Sequence, residues 1–350
     1  MSKPIGKIDE AFLETFIASR CGKDRPEILV KPGFGRDVSL IALPGRQVMA
    51  LTSDPLSLIP GLGLEESAWL SVHLMANDMA TTGFAPQYGQ FVLNLPASFS
   101  REDFNRYWEY IHSFCRKIGL AITGGHTGFI EGQHSTIAGG GTFISILPED
   151  RALTATKARA GDVLLVSKSA AISSAAILAM SFPETTQNKL GKEIYQQACA
   201  SFYDTSSLQD ALLAVGEEGD ASVTAMHDVT EGGLLGAIYE LTKAAGCGVL
   251  LHKEQLPVGP VQAAVCGLFE LDPLQSIGAG SMIIACKESG AAAVQSRLES
   301  AGIPCTQVGK LTSAEDGTYL QQGDRKEPLV YQQTDPYWAA YLNAYNLGKK

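Results

Sequence analysis

The chain has seven cysteines but no C-x-x-C pair among them. Cys21, Cys115, Cys199, Cys247, Cys266, Cys286 and Cys305 are scattered, and an odd number cannot be fully paired within one chain. A disulfide framework is therefore not expected, and a reducing, cytoplasmic setting is. No apolar run approaches membrane-spanning length, and the opening Met1-Ser2-Lys3-Pro4-Ile5-Gly6-Lys7 has no apolar stretch of the signal-peptide kind. Positive charge is also scarce: 27 Lys and Arg stand against 37 Asp and Glu, a formal net charge of −10. Nucleic-acid backbones are held by clustered Lys and Arg, and there is no basic stripe here, so neither a nucleic acid nor a membrane is expected as a partner. The six histidines, His73, His112, His126, His134, His227 and His252, form no H-x-x-x-H pair, which argues against zinc. Gly119 to Thr127 is not a Walker A loop, because Gly125 and His126 occupy the places of its Lys and Ser/Thr, and no Rossmann G-x-G-x-x-G follows a strand.

What is present is a series of short motifs rich in Gly and carboxylates, each where a strand or helix meets a loop. They are Gly33-Phe34-Gly35-Arg36-Asp37, Asn77-Asp78-Met79-Ala80, Thr123-Gly124-Gly125-His126-Thr127 and His227-Asp228-Val229-Thr230-Glu231-Gly232-Gly233. Glycine lets backbone N–H groups approach phosphate, and Asp carboxylates are the oxygen ligands Mg²⁺ requires. Together they point to a metal-nucleotide site.

The 350 residues, 45% hydrophobic and 18% charged, suit a folded protein of two domains. Ile8, Phe12, Leu13, Phe16 and Ile17 recur at helical spacing and predict an opening amphipathic helix. Strands at Val38 to Leu43 and Gln47 to Ser53 flank the turn Pro44-Gly45, and the second delivers Asp54. Ser67 to Thr82 reads as a helix stopped by Gly83, and Ser100 with Asp103 caps a helix running to about Ile118. Leu120-Ala121-Ile122 reads as a short buried strand ending in a Gly124-Gly125 loop. In the second half, strands at Val163 to Ser167, Ala225 to Asp228, Val249 to His252, Met282 to Ala285 and Thr306 to Val308 alternate with helices. The class expected is α+β, or mixed α/β, with domains at 1–155 and 156–335 and a terminal helix or tail at 336–350.

Several residues carry alternative readings. Gly124-Gly125 suits a phosphate cradle or a plain turn. Two acidic or amide residues at the negative end of a helix dipole are not what stability alone would choose, which tilts Asp78 towards ligand binding. His73, one turn before Asn77, lines the same cleft or is a core histidine. His227 is a proton shuttle or a strand-end cap. The glycines 139 to 141 pack against a partner subunit or a nucleotide. Tyr337, Trp338 and Tyr341 suggest an aromatic latch for a terminal helix.

The motifs, in this order, resemble the PurM-like superfamily, which includes aminoimidazole ribonucleotide (AIR) synthetase, thiamine-monophosphate kinase, selenide water dikinase and HypE-type hydrogenase maturation proteins. Gly33 to Asp37 looks like its Gly-Asp-Asp segment, Thr52-Ser53-Asp54 its Thr-x-Asp, and Asn77-Asp78 its Asn-Asp helix. Gly124-Gly125-His126-Thr127 resembles its Gly-Gly-Asp-Thr loop, Ala160-Gly161-Asp162 its domain junction, Asp228 to Leu234 its second-domain loop and Gly278 to Ile283 its late glycine-serine strand. The nearest likeness is to HypE-like, AIR synthase-related proteins. The resemblance implies a homodimer joined through a β-barrel-like interface of the first domains, a second α/β domain, and ATP with Mg²⁺ at the interface. It implies Asp37, Asp54 and Asp78 as Mg²⁺ ligands; Gly35, Asn77, Gly124, Gly125, His126 and Thr127 as nucleotide contacts; and Asp228, Thr230 and His227 at the reacting end.

The implied activity is ATP-dependent phosphorylation or activation of an amide- or carboxamide-type acceptor, free or protein-bound. A small-molecule kinase resembling thiamine-monophosphate kinase and a degenerate nucleotide-binding scaffold are the alternatives. Arg36 and His126 stand where the family commonly has acids. The chain ends Asn346-Leu347-Gly348-Lys349-Lys350, without the terminal cysteine that carries a carbamoyl group in HypE-type members, so cyanide-ligand synthesis by that route is not expected. Cys21-Gly22-Lys23 resembles the cysteine-and-lysine segment of selenide water dikinase over three residues only.

Overall fold

The computed structural model describes residues 6–133, 135–217 and 219–350. His134 and the first residues of the opening segment lie outside them. The first domain runs α1 (Glu10–Phe12), β1 (Ile28–Val30), β2 (Ser39–Leu43), β3 (Gln47–Ser57), α2 (Leu64–Ala80), β4 (Tyr88–Pro96), α3 (Arg101–Lys117), β5 (Ala121–Ile130) and β6 (Ile137–Pro148). Its strands form one sheet in the order β1-β2-β3-β6-β4-β5. After 163 the chain continues β7 (Val163–Ser167), α4 (Ile172–Ser181), α5 (Pro183–Leu190), α6 (Lys192–Ala200), α7 (Leu208–Val215), β8 (Val223–Asp228) and α8 (Gly233–Ala245). It closes with β9 (Gly248–His252), α9 (Pro260–Leu268), β10 (Met282–Cys286), α10 (Glu288–Ser300), β11 (Cys305–Thr312), β12 (Thr318–Gln322), β13 (Arg325–Pro328) and α11 (Pro336–Asn346). The second sheet, β13-β12-β9-β11-β7-β10-β8, is antiparallel except where β12 meets β9. The mixed α/β, two-domain class expected from the sequence is what the chain adopts, built on two sheets.

Helix α2 organises the site. It is buried on nearly every side, through Ala68, Leu70, Val72, Met75, Ala76 and Met79, as expected of a helix enclosed by packing rather than laid on a surface. One side covers β3 and β6, and another meets α7 of the second domain. Met75 lies over Gly141, where a Cβ would approach the Met75 Cε to 2.5 Å, so this glycine admits the helix onto the sheet. Helix α3 starts where Ser100 Oγ accepts from the Asp103 N–H at 2.9 Å and ends with Arg116 and Lys117 against the negative end of its dipole.

Two expectations are corrected. The opening segment is helical as expected, α1 running on into a π-helical turn, Leu13–Ile17, but it buries no residue, so its apolar positions do not form a core-facing side. Phe12 and Phe16 are exposed and stack on each other, with ring centroids 5.0 Å apart. The segment after Leu120 is not a short buried strand ending in a loop. It is the long, exposed edge strand β5, paired in parallel with β4, and the glycines lie inside it. Among the described residues, no helix is long and apolar enough to cross a membrane.

Candidate active site

Carboxylates from both domains meet between them. Asp37 follows the Gly33-Phe34-Gly35-Arg36 turn and precedes β2, Asp54 sits on β3, Asp78 on α2, and Asp228 ends β8. Gly35 adopts φ +70°, and a Cβ there would lie 2.2 Å from the Glu240 carbonyl oxygen. This glycine thus lets the Asp37 turn approach the backbone of α8. Its recorded contact is with the second domain, a role the nucleotide expectation did not foresee.

His227 is the pivot. It is 1% exposed, and its Nδ1 lies 2.7 Å from the Asp228 carbonyl oxygen, which only accepts, so Nδ1 carries the proton. Nε2 on the other side of the ring faces carboxylates, Asp37 Oδ1 at 3.4 Å and Glu240 Oε2 at 3.5 Å. Nε2 has no hydrogen-bond partner, and neither has the buried Asp228 Oδ2. Orphaned buried polar atoms are costly. Ligand atoms of Asp37, His227 and Asp228 all lie within 4.8 Å of one another, and a cation between them would satisfy both orphans.

The electrostatics point the same way. Burial first, then Glu240, pushes the Asp37 carboxyl well above its usual range, against the pull of Lys7. Burial followed by Asp228, Asp54 and Asp37 does the same to Asp78, although Thr52 Oγ1 donates to it at 2.8 Å. Asp54 is pushed up to about 6, mainly by burial, and Asp228 to about 7, by burial and then Asp37. The set holds more buried carboxylates than the single ammonium of Lys7 can answer, a condition that favours a divalent cation.

Glu240 and Lys7, which the sequence reading did not single out, complete the cluster together with Glu231 and the expected Thr230. Glu240, on α8, is 5% exposed at its side chain and accepts from Tyr331 Oη at 3.1 Å. Glu231 accepts from the Lys7 N–H at 2.7 Å and from Trp338 Nε1 at 3.1 Å. Lys7 Nζ donates to Thr230 Oγ1 at 2.9 Å. A glutamate inside the apolar run Leu234 to Ala245 was the available signal for Glu240.

The remaining expected site residues are placed elsewhere. Asn77 spends its amide on the second domain, donating to the Thr205 carbonyl at 2.9 Å and accepting from the Ser207 N–H at 2.8 Å. Gly124, Gly125, His126 and Thr127 lie exposed along β5. Register pairs Asp54 with Gly141, Gly141 with Phe91 and Phe91 with Gly125. Gly125 is therefore three strand spacings, roughly 14 Å, from Asp54. Arg36 donates to the Lys31 carbonyl at 2.9 Å, and Cys21 Sγ bonds within its own turn. His73 stacks on Trp69 with ring centroids 3.6 Å apart, bonds Ser206 Oγ and lines a separate interdomain cavity of about 550 Å³ with Lys117 and Lys168.

Comparison with known proteins places this arrangement. The N-terminal domain of AIR synthase related proteins matches residues 35–146, and their C-terminal domain matches residues 159–320. The chain belongs to this PurM-like, AIR synthase related family. A family relative, carbamoyl dehydratase HypE of Bradyrhizobium diazoefficiens, is 29% identical over 259 residues, covering 72% of this chain and 70% of the relative. The family fold recurs in a hydrogenase maturation protein HypE solved in complex with ATP, at a TM-score of 0.68 and 19% identity, covering 93% of each chain. It recurs also in a HypE–HypF complex, at a TM-score of 0.72 and 18% identity, covering 92% of this chain and 100% of the other.

Proposed function

We propose that this chain is an ATP-dependent, divalent-cation-dependent enzyme that activates an amide- or carboxamide-type oxygen by phosphorylation. The observation that carries the reading is the pair of orphaned, buried atoms, His227 Nε2 and Asp228 Oδ2, facing Asp37 across the domain junction. Carboxylate oxygens with one imidazole suit Mg²⁺ or Mn²⁺, with Asp54 and Asp78 beside them. A cation there would neutralise charge on a transferring phosphoryl group. The chain's own part is positional. The Nδ1–H bond to the Asp228 carbonyl aims His227 Nε2, Thr52 orients Asp78, and α2 fixes the distance between the two domains' carboxylates.

Similarity to carbamoyl dehydratases supports an amide-type acceptor, whose oxygen becomes a good leaving group once phosphorylated. A protein-bound acceptor agrees with a HypE relative having been solved with HypF. A homodimer is part of the proposal. Tyr88, Val92, Ile130, Ile137 and Ile146 are exposed on the β4-β5-β6 part of the first sheet, an apolar face suited to a second copy of the chain. A dimer would also bring β5, with Gly124 to Thr127, against the partner.

Calorimetry with a non-hydrolysable ATP analogue, with and without Mg²⁺, tests the site, with light scattering reporting the mass. One cation-dependent site per subunit, lost in Asp228→Asn, is expected, together with phosphate release when carboxamides are supplied. Binding unaffected by Asp228→Asn overturns the cation assignment. A stable phosphoester product places the chain with the small-molecule kinases instead.

A further inference from the structure

The carboxylates of Asp37, Asp54, Asp78, Asp228 and Glu240 have one basic chain among them. Lys7 Nζ lies 3.6 Å from Glu240 Oε2 as well as 2.9 Å from Thr230 Oγ1. Among the described residues, no other lysine or arginine forms an ion pair with these carboxylates. Burial alone would push the ammonium down, yet Glu240, Asp228 and Asp37 outweigh it and push it up. Lys7 thus sits where positive charge is most wanted.

It is held there lightly. Its side chain is still 45% exposed, so the stem lies at the surface and only the head reaches inward. The backbone is tied by the bond from the Lys7 N–H to Glu231. The turns that follow, Glu10–Phe12 and Leu13–Ile17, bury nothing, and their polar ties are an exposed Lys243–Glu10 pair at 3.9 Å and the Phe34 N–H on Glu14. A segment without apolar burial opens at small cost.

We propose that Lys7 is a resident counter-ion of the cluster, and that a divalent cation entering at Asp37, His227 and Asp228 displaces its ammonium and frees the Gly6–Lys7 strap from Glu231. The inference rests on the cation site proposed above. One ammonium answers part of the carboxylate charge and leaves His227 Nε2 and Asp228 Oδ2 unpaired. A divalent ion answers more of it and is repelled by an ammonium at such range. The strap therefore covers the cluster and yields to the cation, so cation binding and order of residues 6–17 are coupled.

The test is Mn²⁺ binding to the full chain without nucleotide, read from the free-ion electron paramagnetic resonance signal, for wild type, Lys7→Met and Lys7→Arg. Lys7→Met should bind roughly tenfold tighter or more, the scale of one like-charge repulsion removed, and Lys7→Arg should match wild type. Hydrogen exchange of wild type should show the Lys7 amide losing protection as Mn²⁺ is added. Equal or weaker binding by Lys7→Met, or a strap that stays protected in saturating Mn²⁺, overturns the displacement while leaving the cation site standing. No Mn²⁺ binding by wild type or Lys7→Met overturns the cation site and this inference with it.

Discussion

Asn77 Oδ1 accepts the backbone N–H of Ser207 at 2.8 Å, across 130 positions of chain, while its Nδ2 donates to the neighbouring Thr205 carbonyl. The amide is fully buried. It staples the helix that bears Asp78 to the second domain and so holds the two carboxylate groups in register.

Asn77→Ala removes both bonds and leaves a buried N–H and carbonyl without partners, at roughly 1–3 kcal/mol each. We expect a loss of about 2–5 kcal/mol in denaturant unfolding. Asn77→Asp should also destabilise, because a carboxylate oxygen then faces the Thr205 carbonyl. An Asn77→Ala protein as stable as wild type, with only nucleotide binding reduced, would return Asn77 to the ligand-contact role.

The raised carboxyls make a pH signature. Asp228 is pushed up to about 7 from an ordinary 3.8. A carboxyl that binds its proton more tightly when folded stabilises the fold below its unfolded value, and that stability is lost as pH climbs through the folded value. In chelator, the melting temperature of wild type minus that of Asp228→Asn should therefore fall as pH rises from about 4 to about 7. Saturating Mg²⁺ should reverse the trend by favouring the ionised form. A difference that stays flat with pH would show that Asp228 does not titrate in this range.

Gly125 adopts φ +142°, and a Cβ there would lie 1.8 Å from the Phe91 carbonyl oxygen. Gly125→Ala must push β5 away from β4. We expect a stability loss of roughly 1–3 kcal/mol, with faster amide exchange along Tyr88–Pro96. Unchanged stability with weakened phosphate binding would favour the cradle over the strand requirement.

Much of the secondary structure was legible locally. The spacing placed a helix at Ser67 to Thr82 where α2 runs Leu64–Ala80, a strand at Val163 to Ser167 where β7 lies, and the Ser100 cap of α3. These depend on near neighbours: periodicity, a cap, a stop. The strand β5 was misread because Thr123 to Thr127 has no apolar alternation, and its pairing with β4 is a long-range fact. Lys7 carried no local signal, since its partners lie more than 220 positions away.

The amino-acid sequence by itself determined the fold class and, through the resemblance of its ordered motifs to the PurM-like superfamily, singled out Asp37, Asp54, Asp78, Asp228 and His227 as site candidates. Only the tertiary structure decided how they combine. It turned Asn77 into a staple, placed Gly125 in an edge strand, and added Glu240 and Lys7 to the cluster. The physical reason is range: turns and helices answer to residues a few positions away, whereas a site's charge and its orphaned atoms are sums over side chains from both domains.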